Sequence, residues 1–234
     1  MGVVGTVVNL IVQTLMVFMP IAPYTTFFIS RNDENIFKSF SLGTCYVLLT
    51  SNIFRISFYF GERYDTFLLI QSVVLISGMV ALLYLSSVAL KNDIKETLTV
   101  FVVSSAIVLV FGYLTQHSYF IVQSLGAISS IVEVMLALPQ IYHNFKTQSG
   151  DGLPISTIIG WIVGDSFKTI YFIISEVPLQ FICCGIFQLM CDAVIVGQMV
   201  HYSPTYFEKE VIEPLKNLFT KITHKKKETT NEDI

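Results

Sequence analysis

The sequence predicts an all-α transmembrane protein of seven helices, built as two parallel three-helix repeats joined by a connecting helix. Three observations carry this reading. The 234 residues are 53% hydrophobic and only 13% charged, with mean hydropathy +0.66, whereas a soluble domain has about a quarter charged residues. Seven apolar stretches are each long enough to cross about 30 Å of hydrocarbon, which takes about 20 helical residues. A segment in the second stretch recurs, residue type by residue type, in the sixth. The composition excludes a disordered chain, a nucleic-acid binder and an ordinary cytosolic enzyme.

The stretches follow in order. The first, 4–28, is uncharged and closes on Pro20 and Pro23; the first basic residue is Arg31, so no cleaved signal peptide is expected. The second, 40–60, carries Asn52 and Arg55 and ends before the turn Glu62-Arg63. The third, 66–90, is apolar up to Lys91. The fourth, 97–116, is the connector, and Gln116-His117-Ser118 separates it from the fifth, 118–141, which holds Glu133 and ends at Pro139. The sixth, 155–175, carries Asp165 and Lys168. The seventh, 178–200, carries Gln188 and Asp192. The predicted organisation is therefore 1–90 for the first repeat, 91–117 for the connecting helix, 118–202 for the second repeat and 203–234 for a basic tail.

The basic residues orient the set. Arg31, Lys38, Lys91, Lys95, Lys146 and the six lysines from Lys209 to Lys227 fall in the odd connections and the tail, eleven in all, against Arg63 alone in the even ones. The positive-inside rule then places the N-terminus in the lumen and the C-terminus in the cytosol. Within the tail, Phe207, Val211, Ile212, Leu215, Leu218, Phe219 and Ile222 recur at helical spacing with lysines between them. That pattern fits either an amphipathic helix on the cytosolic leaflet or a loose tail, and Pro214 divides it.

The repeat aligns Asn52-Ile-Phe-Arg55 and Phe58-Tyr59 with Asp165-Ser-Phe-Lys168 and Tyr171-Phe172 at an offset of 113. One connecting helix between three-helix units makes the copies run parallel, a transporter architecture in which the substrate route lies between the halves. Five ionisable residues lie inside the predicted spans: Arg55, Glu133, Asp165, Lys168 and Asp192. A charge at mid-bilayer costs several kcal/mol, so such residues face the bundle interior and pair. Asp165 and Lys168, three apart, share a helix face. Arg55 has no acid at that position of its own helix, and Glu133 or Asp192 could supply one across the bundle. With Asn52 and Gln188, these residues form the candidate lipid or substrate route, and a structural ion-pair network is the competing reading. Pro23, Pro139 and Gln140 are candidate hinge residues, since proline removes a backbone donor and bends a helix. Gly160 and Gly164 form Gly-x-x-x-Gly, a close-packing pattern in membrane helices. The four cysteines lie in apolar runs without metal-ligand spacing and read as buried thiols. No metal, no cofactor and no nucleotide-binding motif is expected.

Leu138-Pro139-Gln140-Ile141-Tyr142, followed by Ser149-Gly150-Asp151-Gly152-Leu153, resembles the PQ-loop motif. The three-plus-one-plus-three plan over residues 1–202 is similar to that family. Within it, Asn52-Ile-Phe-Arg55, Phe58-Tyr59-Phe60-Gly61, Leu69-Ile70-Gln71-Ser72, Gly164 to Phe172 and Pro178-Leu179-Gln180-Phe181 resemble the branch of PQ-loop repeat-containing protein 1. The first half departs from the motif, because Pro23 is followed by Tyr24. The resemblance implies an energy-independent phospholipid scramblase of endosomal and trans-Golgi membranes, linked to endosome-to-Golgi traffic and not an enzyme. Membrane phospholipids are the implied partners. A proton-coupled carrier of amino acids in lysosome-like membranes and a sorting receptor are the alternatives, with a small solute or a second copy of the chain as partner and no nucleic acid.

Overall fold

The structure, a computed structural model, describes residues 3–29, 37, 42–91, 95–150, 155–214, 216 and 220. Helix α1 (Val3–Phe18) passes into a 3-10 segment (Met19–Tyr24) and the short α2 (Thr25–Ile29). There follow α3 (Leu42–Gly61), α4 (Thr66–Leu90), α5 (Lys95–Leu114), α6 (Tyr119–Val134), α7 (Leu138–Thr147), α8 (Ile155–Ile174), α9 (Leu179–Tyr202) and α10 (Pro204–Phe207), which ends in a π-helical turn (Glu208–Ile212). No strand occurs among the described residues.

Local chemistry sets the boundaries. Pro20 and Pro23 cannot donate backbone hydrogen bonds, and regular α-helix stops at Phe18, ahead of both. Asp65 caps α4 by accepting from Phe67 N at 2.9 Å. Lys91 ends that helix in the left-handed region at φ 53°, and Gln148 ends α7 in the same way at φ 51°. The fifth predicted span is not one helix. The ladder breaks after Val134, and Leu136 N donates to Glu133 O at 3.2 Å, a three-residue closure. Pro139 has no N–H to offer the carbonyl of Met135, so a new helix begins at Leu138 with the proline in its first turn. Pro139 therefore opens a helix and does not close one.

Among the described residues, three helical stretches are long and apolar enough to cross a membrane: Thr66–Leu90, Tyr119–Thr147 taken across the α6–α7 break, and Leu179–Tyr202. Asn9–Tyr24 and Phe101–Leu114 are apolar but shorter. The chain is thus a multi-pass integral membrane protein. Its outer surface agrees: Val102, Val103, Ile107, Val110, Phe111 and Leu114 are exposed along α5 and line an open apolar hollow of about 530 Å³. In water such a face would be an aggregation surface, whereas in a bilayer it meets acyl chains.

The contacts divide the chain into two compact units, Met1–Leu136 with Val163–Leu189, and Ala137–Ile162 with Met190–Ile234. In the first, α3 packs against α4, α5 and α6. Glycines permit the approach: a Cβ on Gly126 would lie 3.1 Å from the Phe58 ring, and one on Gly112 would lie 2.7 Å from Ser57 Cβ. Ser51 and Ser129 clasp α3 to α6, each hydroxyl donating to the other's carbonyl at 3.1 and 2.9 Å. One core cluster gathers Met16, Phe58, Tyr64, Leu68, Val122, Phe172 and Phe181, and another Phe37, Cys45, Leu49, Met79 and Leu82. In the second unit, Ile158, Ile195 and Met199 form the core, with Trp161, Tyr206 and Phe207 against it.

Gly160 and Gly164 do not mediate a close contact among the described residues. A Cβ on Gly160 would meet nothing within 4 Å, and one on Gly164 only the Met19 methyl at 3.9 Å. Cys183 is exposed, unlike Cys45, Cys184 and Cys191, which are buried as the sequence implies. The start of the tail packs onto protein, through Tyr206 and Phe207. Of the bases used for orientation, Arg31, Lys38, Lys221 and Lys225 to Lys227 lie outside the described residues, as do the tail residues Leu215, Leu218, Phe219 and Ile222 and the loop residues Asp151, Gly152 and Leu153.

A buried ionic cluster as the candidate functional site

Arg55 sits six residues before the end of α3, with a side chain only 4% exposed. It has no acid on its own helix and takes one from α6: its Nη2 forms an ion pair with Glu133 Oε2. The other oxygen, Oε1, accepts from Lys168 Nζ of α8 at 3.0 Å. One carboxylate thus bridges two cations from different helices. Lys168 also meets Asp165 Oδ1 at 3.4 Å, one turn back on α8, and the amide oxygen of Gln188 on α9. Two bases and two acids sum to zero charge. This balance suits the setting, because an unpaired buried ion in a membrane is costly whereas a bridged set retains most of its electrostatic stabilisation.

Neutral groups complete the shell. Gln71 donates to the Met16 carbonyl at 2.6 Å, which fixes its amide oxygen 3.5 Å from Arg55 Nη1. The Arg55 guanidinium lies 5.1 Å from the centre of the Phe181 ring, within cation–π range. Tyr64, in the turn after α3, donates its hydroxyl to the Arg55 carbonyl at 2.9 Å. Burial pushes the Tyr64 phenol well above its ordinary value, so the hydroxyl stays a donor. Toward the turns 62–65 and 175–178 a second polar layer appears. Tyr171 donates to Asp65, Gln180 donates to Gln123, and Gln123 reaches Glu62 at 3.4 Å.

Of the seven residues assigned to the route from sequence, the structure brings five together: Arg55, Glu133, Asp165, Lys168 and Gln188. Glu133 is the partner of Arg55 in the first unit. Asn52 is buried one turn before Arg55, but its side chain donates to its own helix, to Leu48 O at 2.7 Å. Asp192 is buried on α9 and belongs to the second unit. Pro23 lies inside the 3-10 segment, and Pro139 and Gln140 in the first turn of α7. Gln140 donates to Asn144 Oδ1 at 2.8 Å. The chain crosses between the two units three times, at 136/137, 162/163 and 189/190, and the first crossing falls within the turn that Pro139 follows.

Tyr64 was not singled out in the sequence, and Gln71 and Phe181 entered only within segments that carry the family resemblance. Gln71 had a usable signal, as a strongly polar side chain in the second turn of a 25-residue apolar helix. Phe181 had none. One phenylalanine among 19 acquires its role only from the fold.

The helices and their buried charges define an integral membrane protein with an internal polar site. The profile of the PQ loop repeat family matches residues 121–181, which run from α6 through α7 and α8 into the first turn of α9. Three curated relatives come from Saccharomyces cerevisiae. A vacuolar lysine transporter is 28% identical over 90 residues, 38% of this chain and 29% of the relative. A scramblase is 31% identical over 84 residues, 35% of this chain and 21% of the relative. A vacuolar histidine transporter is 26% identical over 91 residues, 39% of this chain and 30% of the relative. Each alignment therefore covers less than a third of the relative's length. No solved structure matches.

Proposed function

We propose that this protein moves phospholipids between membrane leaflets without energy input. The single observation carrying this reading is the charge-balanced cluster of Arg55, Lys168, Glu133 and Asp165 inside a membrane-embedded unit. A zwitterionic headgroup needs cations for its phosphate and carboxylates for its amine. Lys168 and Arg55 supply the first, and Asp165, the most exposed member at 23%, supplies the second. Similarity to the yeast scramblase supports the same activity. In this reading the chain forms two parallel three-helix repeats around α5, spanning 1–90 and 118–202, with its N-terminus lumenal and its tail cytosolic. It serves endosomal and trans-Golgi membranes, and flexing at Pro23 and at Pro139-Gln140 opens the route, with Asn52 and Asp192 as further polar stations.

A second reading has its own support. The cluster is enclosed, with Arg55 and Lys168 side chains 4% and 11% exposed, as befits a small-solute site more than a groove open to lipid. Two of the yeast relatives are amino acid transporters. One experiment separates the two readings. Purified protein in liposomes is assayed in parallel for movement of fluorescent phospholipid between leaflets and for uptake of lysine and histidine across an imposed pH gradient. Scrambling above empty vesicles supports the first reading. Uptake without scrambling overturns it in favour of the second.

A further inference from the structure

Phe181 lies where the ionic cluster meets the second polar layer. It occupies the first turn of α9, just after Pro178, and is 1% exposed. Its ring packs edge-on against Phe58 at 5.7 Å and Tyr64 at 5.0 Å, and tilted against Phe172 at 5.8 Å. On its other side lies the Arg55 guanidinium. Phe58, Phe172 and Phe181 are all essentially inaccessible and pack in one cluster with Tyr64 of the turn 62–65 and Val177 of the turn 175–178. Hydrogen bonds hold these rings in place. Gln180, adjacent to Phe181, bonds Gln123 of α6, and Tyr171 of α8 bonds Asp65 at the start of α4. The first turn of α9 is therefore tied down by an amide pair at the protein edge and by ring contacts inside.

We infer that Phe181 is a gate residue: it seals the ionic cluster from the 62–65 and 175–178 end, and the Gln180–Gln123 and Tyr171–Asp65 hydrogen bonds latch it shut. This deepens the transport reading, because substrate reaching Arg55 from that end must displace the ring. The side chain is a positioning and access element, and its cation–π contact holds the Arg55 guanidinium when the site is empty.

The chain provides its own reporter. Cys184 lies three residues beyond Phe181, is 5% exposed, and its Sγ sits 3.5 Å from Ser130 O and 3.8 Å from the Gln188 amide oxygen beside Lys168. In full-length protein with Cys45, Cys183 and Cys191 replaced by serine, reconstituted in vesicles, Cys184 is labelled with a small cationic methanethiosulfonate. The gate predicts protection with Phe181 present, labelling at least tenfold faster in Phe181→Ala, and an intermediate gain in Gln180→Ala, which keeps the ring and removes the latch. A companion protein retaining only Cys45, in the separate core with Leu49 and Met79, controls for unfolding. Labelling of Cys184 within twofold of the parent in both variants, or equal gains at Cys45, would overturn the gate. In the same vesicles Phe181→Ala should raise the transport rate severalfold. Absence of transport in every protein, with Cys184 still unmasked, would sink the transport reading and leave the gate standing.

Discussion

The two copies of the repeated segment, 52–59 on α3 and 165–172 on α8, carry a base at the same position and send it to the same carboxylate, Glu133. They differ three residues earlier. On α8 that position is Asp165, which pairs with Lys168 at 3.4 Å and is partly accessible. On α3 it is Asn52, which is 2% exposed and turned onto Leu48 O. Lys168 thus has two anions, whereas Arg55 depends on Glu133, helped by Gln71 and Phe181. One arm of the repeat is sealed and fixed. The other retains a carboxylate that can exchange partners. In the proposed reading this asymmetry makes Asp165 and Lys168 of α8 the exchangeable part of the site and Arg55 of α3 its firmly held part.

Substitutions can break or sharpen this contrast. Glu133→Gln should have the largest effect, since it leaves both buried cations without their shared anion. Removing one partner of a buried pair costs about 3 kcal/mol or more, so melting of the detergent-solubilised protein should fall sharply, and Lys168→Met in the same chain should restore part of the loss. Arg55→Ala should destabilise more than Lys168→Ala, because it leaves Glu133 with one cation and vacates the Phe181 face. Arg55→Lys should recover little, since an ammonium cannot reach Glu133 and Gln71 together. A smaller contrast concerns glycines. Gly126→Ala pushes a methyl onto the Phe58 ring and should cost about 1–3 kcal/mol, whereas Gly160→Ala enters open space and should leave the melt within about 0.5 kcal/mol. Asp165→Asn, at the accessible edge of the cluster, should cost less stability than Glu133→Gln, and this same change should reduce transport strongly. Equal melting of Glu133→Gln and Asp165→Asn would erase the proposed distinction between anchor and contact.

Much of the fold was legible because the bilayer imposes a coarse rule, long apolar helices with few charges, that composition and spacing reveal directly. The ion pairs were legible for the same reason: Arg55 and Lys168 stand out against apolar neighbours, and Asp165 and Lys168 share a face by helical geometry alone. The break at residues 135–137 was harder to read. Proline interrupts a helix, but which side of it the new helix begins depends on whether its first-turn geometry is satisfied, and here Leu138 and Pro139 start α7. The pairing of Arg55 with Glu133 depends on how α3 and α6 face each other, set by Ser51, Ser129 and Gly126 contacts that no single-residue signal announces. Gly160 and Gly164 show a familiar spacing with no closely approaching neighbour among the described residues.

The central claim is that the buried ionic cluster is the site through which substrate passes. It is tested most directly by liposome flux with the parent protein, Asp165→Ala and Arg55→Ala, each first shown to be folded by its melting profile. The account predicts lipid movement above empty vesicles for the parent, with at least a tenfold loss in Asp165→Ala at nearly unchanged stability. Parent-like flux in a folded Asp165→Ala protein would contradict it and leave the cluster as a purely structural joint between helices.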